Sequence, residues 1–147
     1  MGKRVTSKYL KMNKEDLKKE ILNDRKKYSS KIPSNISKQF QVDKFMEGGY
    51  KSYRIVPKEN FSGEYIVYLH GGYMCYDITP EQWEFIYKLS MRTKTGIFVP
   101  IYPLAPVHSC RELFDMLTRA YSNFAKGFDV EKVIFLGDSS GAGLALS

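Results

Sequence analysis

Hydrophobic and polar positions follow two different patterns along this chain, and each pattern indicates a different element. Near-continuous apolar runs at 65–69, 97–101 and 133–137 are typical of buried parallel strands. Between them, apolar residues recur at helical spacing over 79–89 and 109–124. Both helical stretches begin with a Thr or Ser followed three residues later by Gln or Glu, which is the signature of a helix N-terminus. The alternation predicts an α/β fold whose helices cover both faces of the sheet.

A hairpin is predicted ahead of these strands. Residues 39–45 and 50–56 have strand character, and Met46-Glu47-Gly48-Gly49 supplies the turn between them. The expected architecture is therefore a mostly parallel, doubly wound α/β sheet that is preceded by an antiparallel hairpin.

The first 38 residues are predicted to form a basic helical segment, separate from a domain at 39–147. An amphipathic helix is expected over 13–28, with Asn13 as its N-cap. The chain carries a formal charge of +7, and its first sixty residues hold 16 Lys and Arg against 7 Asp and Glu. We interpret this patch as a solvated face, with membrane-surface contact as the alternative. It lacks the exposed aromatic residues of a nucleic-acid motif, so no nucleic-acid partner is expected.

Other function classes find little support in the composition. No apolar stretch reaches the length of a membrane span or forms a signal core, and the expected compartment is the cytoplasm. Cys75 and Cys110 lack metal-ligand spacing and are expected to be free thiols. Residues 137–143 lack the lysine of a phosphate-binding loop, so no nucleotide site is expected there. No motif in the sequence supports a metal site either, and we expect no cofactor. Residues 1–6 match a short myristoylation pattern.

The strongest chemical signal is Gly137-Asp138-Ser139-Ser140-Gly141, which follows an apolar strand and precedes a helix-prone stretch. The pattern G-x-S-x-G in this setting predicts a nucleophile elbow, a sharp turn that presents the Ser139 hydroxyl above the sheet. Gly137 and Gly141 keep strand and helix close, because neither has a side chain. The helix that follows directs unpaired N–H groups toward the place where an oxyanion would form.

A second motif, His70-Gly71-Gly72-Tyr73, follows the strand at 65–69. Two adjacent glycines leave their backbone N–H groups unscreened, so this segment predicts an oxyanion loop at the end of a buried strand. A simple Gly-Gly turn is the alternative interpretation.

A third motif, Tyr102-Pro103-Leu104-Ala105-Pro106-Val107-His108, directly follows the strand at 97–101. In this order the three motifs resemble the hormone-sensitive-lipase branch of the α/β-hydrolase fold, over roughly residues 65 to 147. The first 38 residues correspond to a cap-like segment in that family.

The resemblance implies hydrolysis of a small-molecule carboxylic ester through an acyl-enzyme. It assigns the nucleophile to Ser139 and the oxyanion hole to the backbone N–H groups of Gly71, Gly72 and Ser140. Supporting positions follow from the same motifs: His70, Gly137, Asp138 and Gly141.

Two residues depart from the family pattern. Tyr73 stands where the family usually has a third glycine, and Ser140 where it usually has alanine. Both positions contribute backbone groups, so the oxyanion hole is expected to persist. The ring of Tyr73 is expected to narrow the acyl pocket or tilt the loop, which favours esters of short acyl chains.

The family order of the triad is serine, acid, histidine, and the last two follow the elbow. No residue follows Ser147 here, and the histidines, His70 and His108, occupy positions expected to be structural. Asp138 is expected to bond neighbouring loops rather than serve as the triad acid. We therefore expect the N-terminal half of a hydrolase, truncated after the nucleophile elbow. The alternatives are a non-catalytic binding module and an inactive remnant.

In such an N-terminal half of a hydrolase, the strand at 133–137 would be an apolar edge strand of the sheet. An unpaired apolar edge favours pairing with another chain. Self-association through this edge is accordingly expected.

Overall fold

A computed structural model describes residues 9–28, 31–34, 36–128, 130 and 132–147. The myristoylation pattern at residues 1–6 lies outside the described residues. The helices are α1 (Lys14–Arg25), α2 (Ile36–Gln39), α3 (Pro80–Thr93), α4 (Cys110–Gly127) and α5 (Ser140–Leu146). The strands are β1 (Phe40–Glu47), β2 (Tyr50–Pro57), β3 (Glu64–Leu69), β4 (Gly96–Pro100) and β5 (Lys132–Gly137). None of the helices in these ranges combines the length and apolar character that crossing a membrane requires.

The strands form one sheet in the order β1-β2-β4-β3-β5. Strand β3 is parallel to β4 and to β5, whereas β2 is antiparallel to both of its neighbours. The α/β class is confirmed, but the sheet is mixed rather than mostly parallel. The sheet is mixed because β2, the second strand of the predicted hairpin, also pairs antiparallel with β4.

The hairpin reverses direction at Gly48 and Gly49. Both residues have positive φ, 56° and 87°, which a two-residue hairpin turn of this kind requires at its centre. Because glycine adopts this conformation without a Cβ penalty, the turn forms at the point that the sequence predicted.

Helices cover both faces of the sheet. Alternate residues of β3 point to opposite sides: Val67 belongs to the core beneath α4 and α5, whereas Tyr68 belongs to the core beneath α3. Trp83 and Ile86 fill the second core from α3. The doubly wound arrangement predicted from the sequence is therefore present in these residues.

The two predicted capping boxes define the starts of α3 and α4. The Thr79 hydroxyl accepts a hydrogen bond from the backbone N–H of Gln82, and the Ser109 hydroxyl accepts one from the backbone N–H of Glu112. In return, the Gln82 and Glu112 side chains each accept a hydrogen bond from the backbone N–H of the cap residue. The backbone N–H and hydroxyl of Ser109, with a further contribution from His108, lower the pKa of Glu112 to about 2.

Strand β5 ends the sheet order and pairs with β3. Ile134 and Phe135 in this strand are 43% and 46% exposed. Large apolar side chains thus lie exposed at this edge, as the sequence predicted.

Candidate active site

Ser139 lies at the sharp turn between β5 and α5, with φ 49° and ψ −122°. A serine in this region of positive φ is strained, at a typical cost of about 1–3 kcal/mol. The residue is exposed, and its hydroxyl forms no hydrogen bond with any described residue. The turn therefore presents an unpaired hydroxyl to solvent.

Two glycines permit this turn because no side chain fits at either position. A Cβ built on Gly137 would lie 2.3 Å from the carbonyl oxygen of Gly141. A Cβ on Gly141 would lie 2.0 Å from the carbonyl oxygen of Leu69. Helix α5 can approach β3 and β5 only because both residues lack a side chain, which explains the spacing in G-x-S-x-G.

Asp138 joins three separate segments. Its carboxylate accepts the Tyr68 hydroxyl at 2.5 Å, the Gly71 backbone N–H at 2.9 Å and the Gln82 side-chain amide at 3.0 Å. Burial by itself would raise the pKa of Asp138, but these hydrogen bonds and nearby His70 outweigh it, and the pKa lies below its ordinary value. The predicted role of Asp138, bonding to neighbouring loops, agrees with this geometry.

His70 is fully buried and braces the oxyanion loop. Its Nδ1 donates to the carbonyl oxygen of Gly71 at 2.8 Å, and its ring stacks on Tyr102 with centroids 4.4 Å apart. The Tyr102 hydroxyl donates to the carbonyl oxygen of His70 at 2.5 Å. Burial lowers the pKa of His70, so the ring is neutral at pH 7. This environment suits a structural histidine.

The predicted oxyanion donors differ in availability. The N–H of Gly71 is engaged by Asp138, whereas those of Gly72 and Ser140 donate to no acceptor among the described residues. A Cβ on Gly71 would lie 3.0 Å from the Cβ of Ser139, so the loop contacts the elbow. Gly72 and Ser140 are therefore the donors that the geometry favours, and Gly71 is held in a positioning role by the Asp138 carboxylate.

Tyr73 has a positive φ of 57°, a conformation that glycine adopts without strain. The family preference for glycine at this position is consistent with that backbone. The Tyr73 side chain is 73% exposed. It points toward solvent here, so the expected narrowing of an acyl pocket remains a prediction.

A model of the alpha/beta hydrolase fold matches residues 66–147 of the chain. The chain belongs to the alpha/beta-hydrolase fold family. The predicted resemblance to its hormone-sensitive-lipase-like branch is confirmed. Among curated proteins, none matches the chain.

Solved structures of similar fold cover nearly the whole chain. A Staphylococcus aureus protein provisionally designated an esterase is 23% identical with a TM-score of 0.76, and the match spans 94% of this chain and 47% of that one. A hormone-sensitive lipase from a metagenome library is 19% identical with a TM-score of 0.64, spanning 91% and 50%. EstE5 soaked with p-nitrophenyl butyrate is 22% identical with a TM-score of 0.62, spanning 91% and 43%. The chain thus spans about half the length of the structures it resembles.

The second histidine, His108, makes its contacts away from the elbow motif. Its Nε2 lies 3.0 Å from the Tyr50 hydroxyl, and its Nδ1 lies 3.3 Å from a carboxylate oxygen of Glu112. His108 therefore belongs to a cluster with Tyr50 and Glu112 at the start of α4. Within the part of the chain described, neither histidine is placed to act as a base for Ser139.

Helix α1 is fastened beside the oxyanion loop by Arg25. The Arg25 Nε donates to the carbonyl oxygen of Cys75 at 2.8 Å, and an Nη of the same guanidinium donates to that of Ala105. The sequence predicted a helix over 13–28; the observed helix is capped by Asn13 as expected but ends at Arg25. Because a lone arginine in a last helical turn carries no contact signal, the anchor was not predicted.

Cys75 and Cys110 are unbridged thiols. In the ranges that the structure describes, no group of three His, Cys, Asp or Glu residues is placed to hold a metal ion.

Proposed function

We propose that the protein is a serine carboxylic-ester hydrolase that forms an acyl-enzyme on Ser139. The observation that carries the proposal is the strained, exposed Ser139, which is followed by the unengaged N–H of Ser140 and contacted by the loop of Gly71 and Gly72. Preorganised donors next to a nucleophile are what stabilisation of a tetrahedral oxyanion requires. The family membership of the chain supports the same chemistry.

In this mechanism the Ser139 Oγ attacks the ester carbonyl carbon and its proton passes to a general base. The carbonyl oxygen becomes an oxyanion that accepts hydrogen bonds from the backbone N–H groups of Gly72 and Ser140. The intermediate collapses with loss of the alcohol, which takes the proton, and water then hydrolyses the acyl-enzyme. The family resemblance implies a histidine and an acid as base and orienting partner, and neither is supplied by the described residues.

The proposed substrate is a small ester with a short acyl chain. EstE5 was soaked with p-nitrophenyl butyrate, which makes that ester a suitable first probe. A faster rate on long-chain than on short-chain p-nitrophenyl esters would contradict the short-chain preference.

The test uses the product of the whole reading frame that contains these 147 residues. We expect turnover of p-nitrophenyl butyrate and labelling of one serine per chain by a fluorophosphonate, because an activated serine reacts fast with such a probe. Ser139→Ala should abolish both, while Ser140→Ala, which alters the neighbouring hydroxyl but keeps the backbone N–H, should retain both. Absence of labelling in a folded wild-type protein would overturn the proposal.

A second candidate is a non-catalytic small-molecule binding module. The observation that favours it is that, among the described residues, His70 and His108 are engaged with other partners than Ser139, and serine without a base is a poor nucleophile. Saturable binding of an ester without labelling of Ser139 would support this candidate over the hydrolase. Neither binding nor labelling in the folded protein is the result expected of an inactive remnant.

A further inference from the structure

A cleft of about 240 Å³ lies at the carboxyl end of β4, beside the start of β2 and the last turn of α1. Ser139 and the favoured oxyanion donors, Gly72 and Ser140, do not line it. Its lining residues at 101–104 are buried, so a ligand would meet the half-buried side chains around them: Arg25, Tyr50, Lys51, Asp77 and His108. Three of these side chains are a guanidinium, an amine and a carboxylate, which is the lining expected of a site for a charged ligand.

Arg25 presents a fixed positive charge to this cleft. Its Nε and one Nη donate to the carbonyl oxygens of Cys75 and Ala105, and these bonds hold the guanidinium in place. The other Nη donates to no residue that the structure describes, and it is accessible rather than buried. Because the side chain is already fixed, it loses little conformational freedom when an anion binds to the remaining N–H groups.

Lys51 and Asp77 also bring charges that have no partner within the described ranges. The Lys51 amine and the Asp77 carboxylate form no hydrogen bond or ion pair, either with each other or with Arg25. Neither group is among the buried polar atoms that lack a partner, so both are accessible. Two cations and one anion therefore share a cleft without neutralising one another. A ligand that carries both a negative and a positive group can pair with all three.

Tyr50 and His108 supply an aromatic wall. Their rings meet edge to face, with centroids 5.6 Å apart and planes inclined by 86°. The Tyr50 hydroxyl lies 3.0 Å from the His108 Nε2, so each ring holds the other. Partly exposed ring faces of this kind favour contact with an apolar group of the ligand.

We propose that this cleft binds a zwitterionic α-amino acid with an apolar side chain. Arg25 and Lys51 donate to the carboxylate of the ligand, and Asp77 accepts from its α-ammonium group. All of these are charge-assisted hydrogen bonds, which are stronger than neutral ones. The apolar side chain of the ligand lies against the rings of Tyr50 and His108. This binding does not rest on the proposed hydrolase activity.

Isothermal titration calorimetry with three related compounds tests the proposal. L-phenylalanine carries both charges, phenethylamine lacks the carboxylate, and 3-phenylpropionate lacks the ammonium group. The protein is the product of the whole reading frame that contains these 147 residues. We expect L-phenylalanine to bind at one site, about tenfold tighter than either analogue, because each analogue loses one set of charge-assisted hydrogen bonds.

Two variants assign the charges to their partners. Asp77→Asn should weaken L-phenylalanine binding about tenfold without weakening that of 3-phenylpropionate, because the lost partner is that of the ammonium group. Lys51→Met should weaken L-phenylalanine and 3-phenylpropionate but not phenethylamine. Binding of the ligand that each variant spares shows that the variant is folded.

Asp115→Asn and Lys126→Met are the matched controls, since both residues are exposed on α4 and outside the cleft. Both variants should keep the wild-type affinities. Three results would each rule the proposal out: no saturable binding of L-phenylalanine, equal affinity for the three compounds, or an unchanged affinity for L-phenylalanine in Asp77→Asn.

Discussion

The carboxylate of Asp138 accepts the backbone N–H of Gly71 at 2.9 Å, so the residue before the candidate nucleophile holds the oxyanion loop. The same carboxylate binds Tyr68 in β3 and Gln82 in α3. The elbow is therefore positioned by a charged group bonded to two other elements and the loop. A charge-assisted acceptor suits this task because its hydrogen bonds are stronger than neutral ones.

Asp138→Ala should lower the free energy of unfolding by about 1–3 kcal/mol. The change leaves the Tyr68 hydroxyl, the Gly71 N–H and the Gln82 amide without their shared acceptor, and unpaired buried groups carry a cost of this size. Urea unfolding measures it, with Asp115→Ala on the exposed face of α4 as the control, for which little change is expected. Equal effects from the two substitutions would contradict the positioning role.

Gly141→Ala and Gly143→Ala should have opposite effects although both lie in α5. A Cβ on Gly141 would meet the Leu69 carbonyl oxygen at 2.0 Å, so overpacking should cost about 1–3 kcal/mol or more. A Cβ on Gly143 would meet nothing within 4 Å, and alanine should stabilise the helix by up to about 1 kcal/mol. Thermal unfolding of the two variants, each against wild type, distinguishes them. A neutral Gly141→Ala would show that β3 and α5 do not approach as described.

Ser139→Gly should stabilise the folded chain by about 1 kcal/mol. Glycine removes the strain of positive φ, about 1–3 kcal/mol, and loses part of that gain through the greater freedom of the unfolded chain. Ser139→Ala is the control, because alanine keeps the Cβ and hence the strain. Chemical denaturation should place the glycine variant above both alanine and wild type, and equal stability of the two variants would argue against a strained elbow.

The sequence predicted the features that depend on neighbouring residues. The Gly48-Gly49 turn, the capping boxes at Thr79 and Ser109 and the position of the elbow all arise from local chemistry.

Features that depend on distant segments were not predicted. The partner of Asp138 on β3, Tyr68, is 70 residues away in sequence, and Arg25 is 80 residues from Ala105. The antiparallel β2–β4 pairing is likewise non-local, which is why the sheet is mixed. Composition and residue spacing describe one segment at a time. They therefore do not predict contacts that depend on how distant segments pack against each other.

The buried, neutral His70 should make stability fall as the pH drops below about 6.5, the ordinary pKa of histidine. Burial lowers the pKa of His70 in the folded chain, so below pH 6.5 the unfolded chain binds a proton that the folded chain excludes. The free energy of unfolding should therefore decrease by up to about 1.4 kcal/mol per pH unit until the lower folded pKa is reached. Urea unfolding between pH 5 and 7.5 measures this slope, which His70→Gln should reduce and His108→Gln should leave in place. Stability that rises as the pH falls through this window would mean that the folded chain binds the proton, and that His70 is not the neutral brace of the loop.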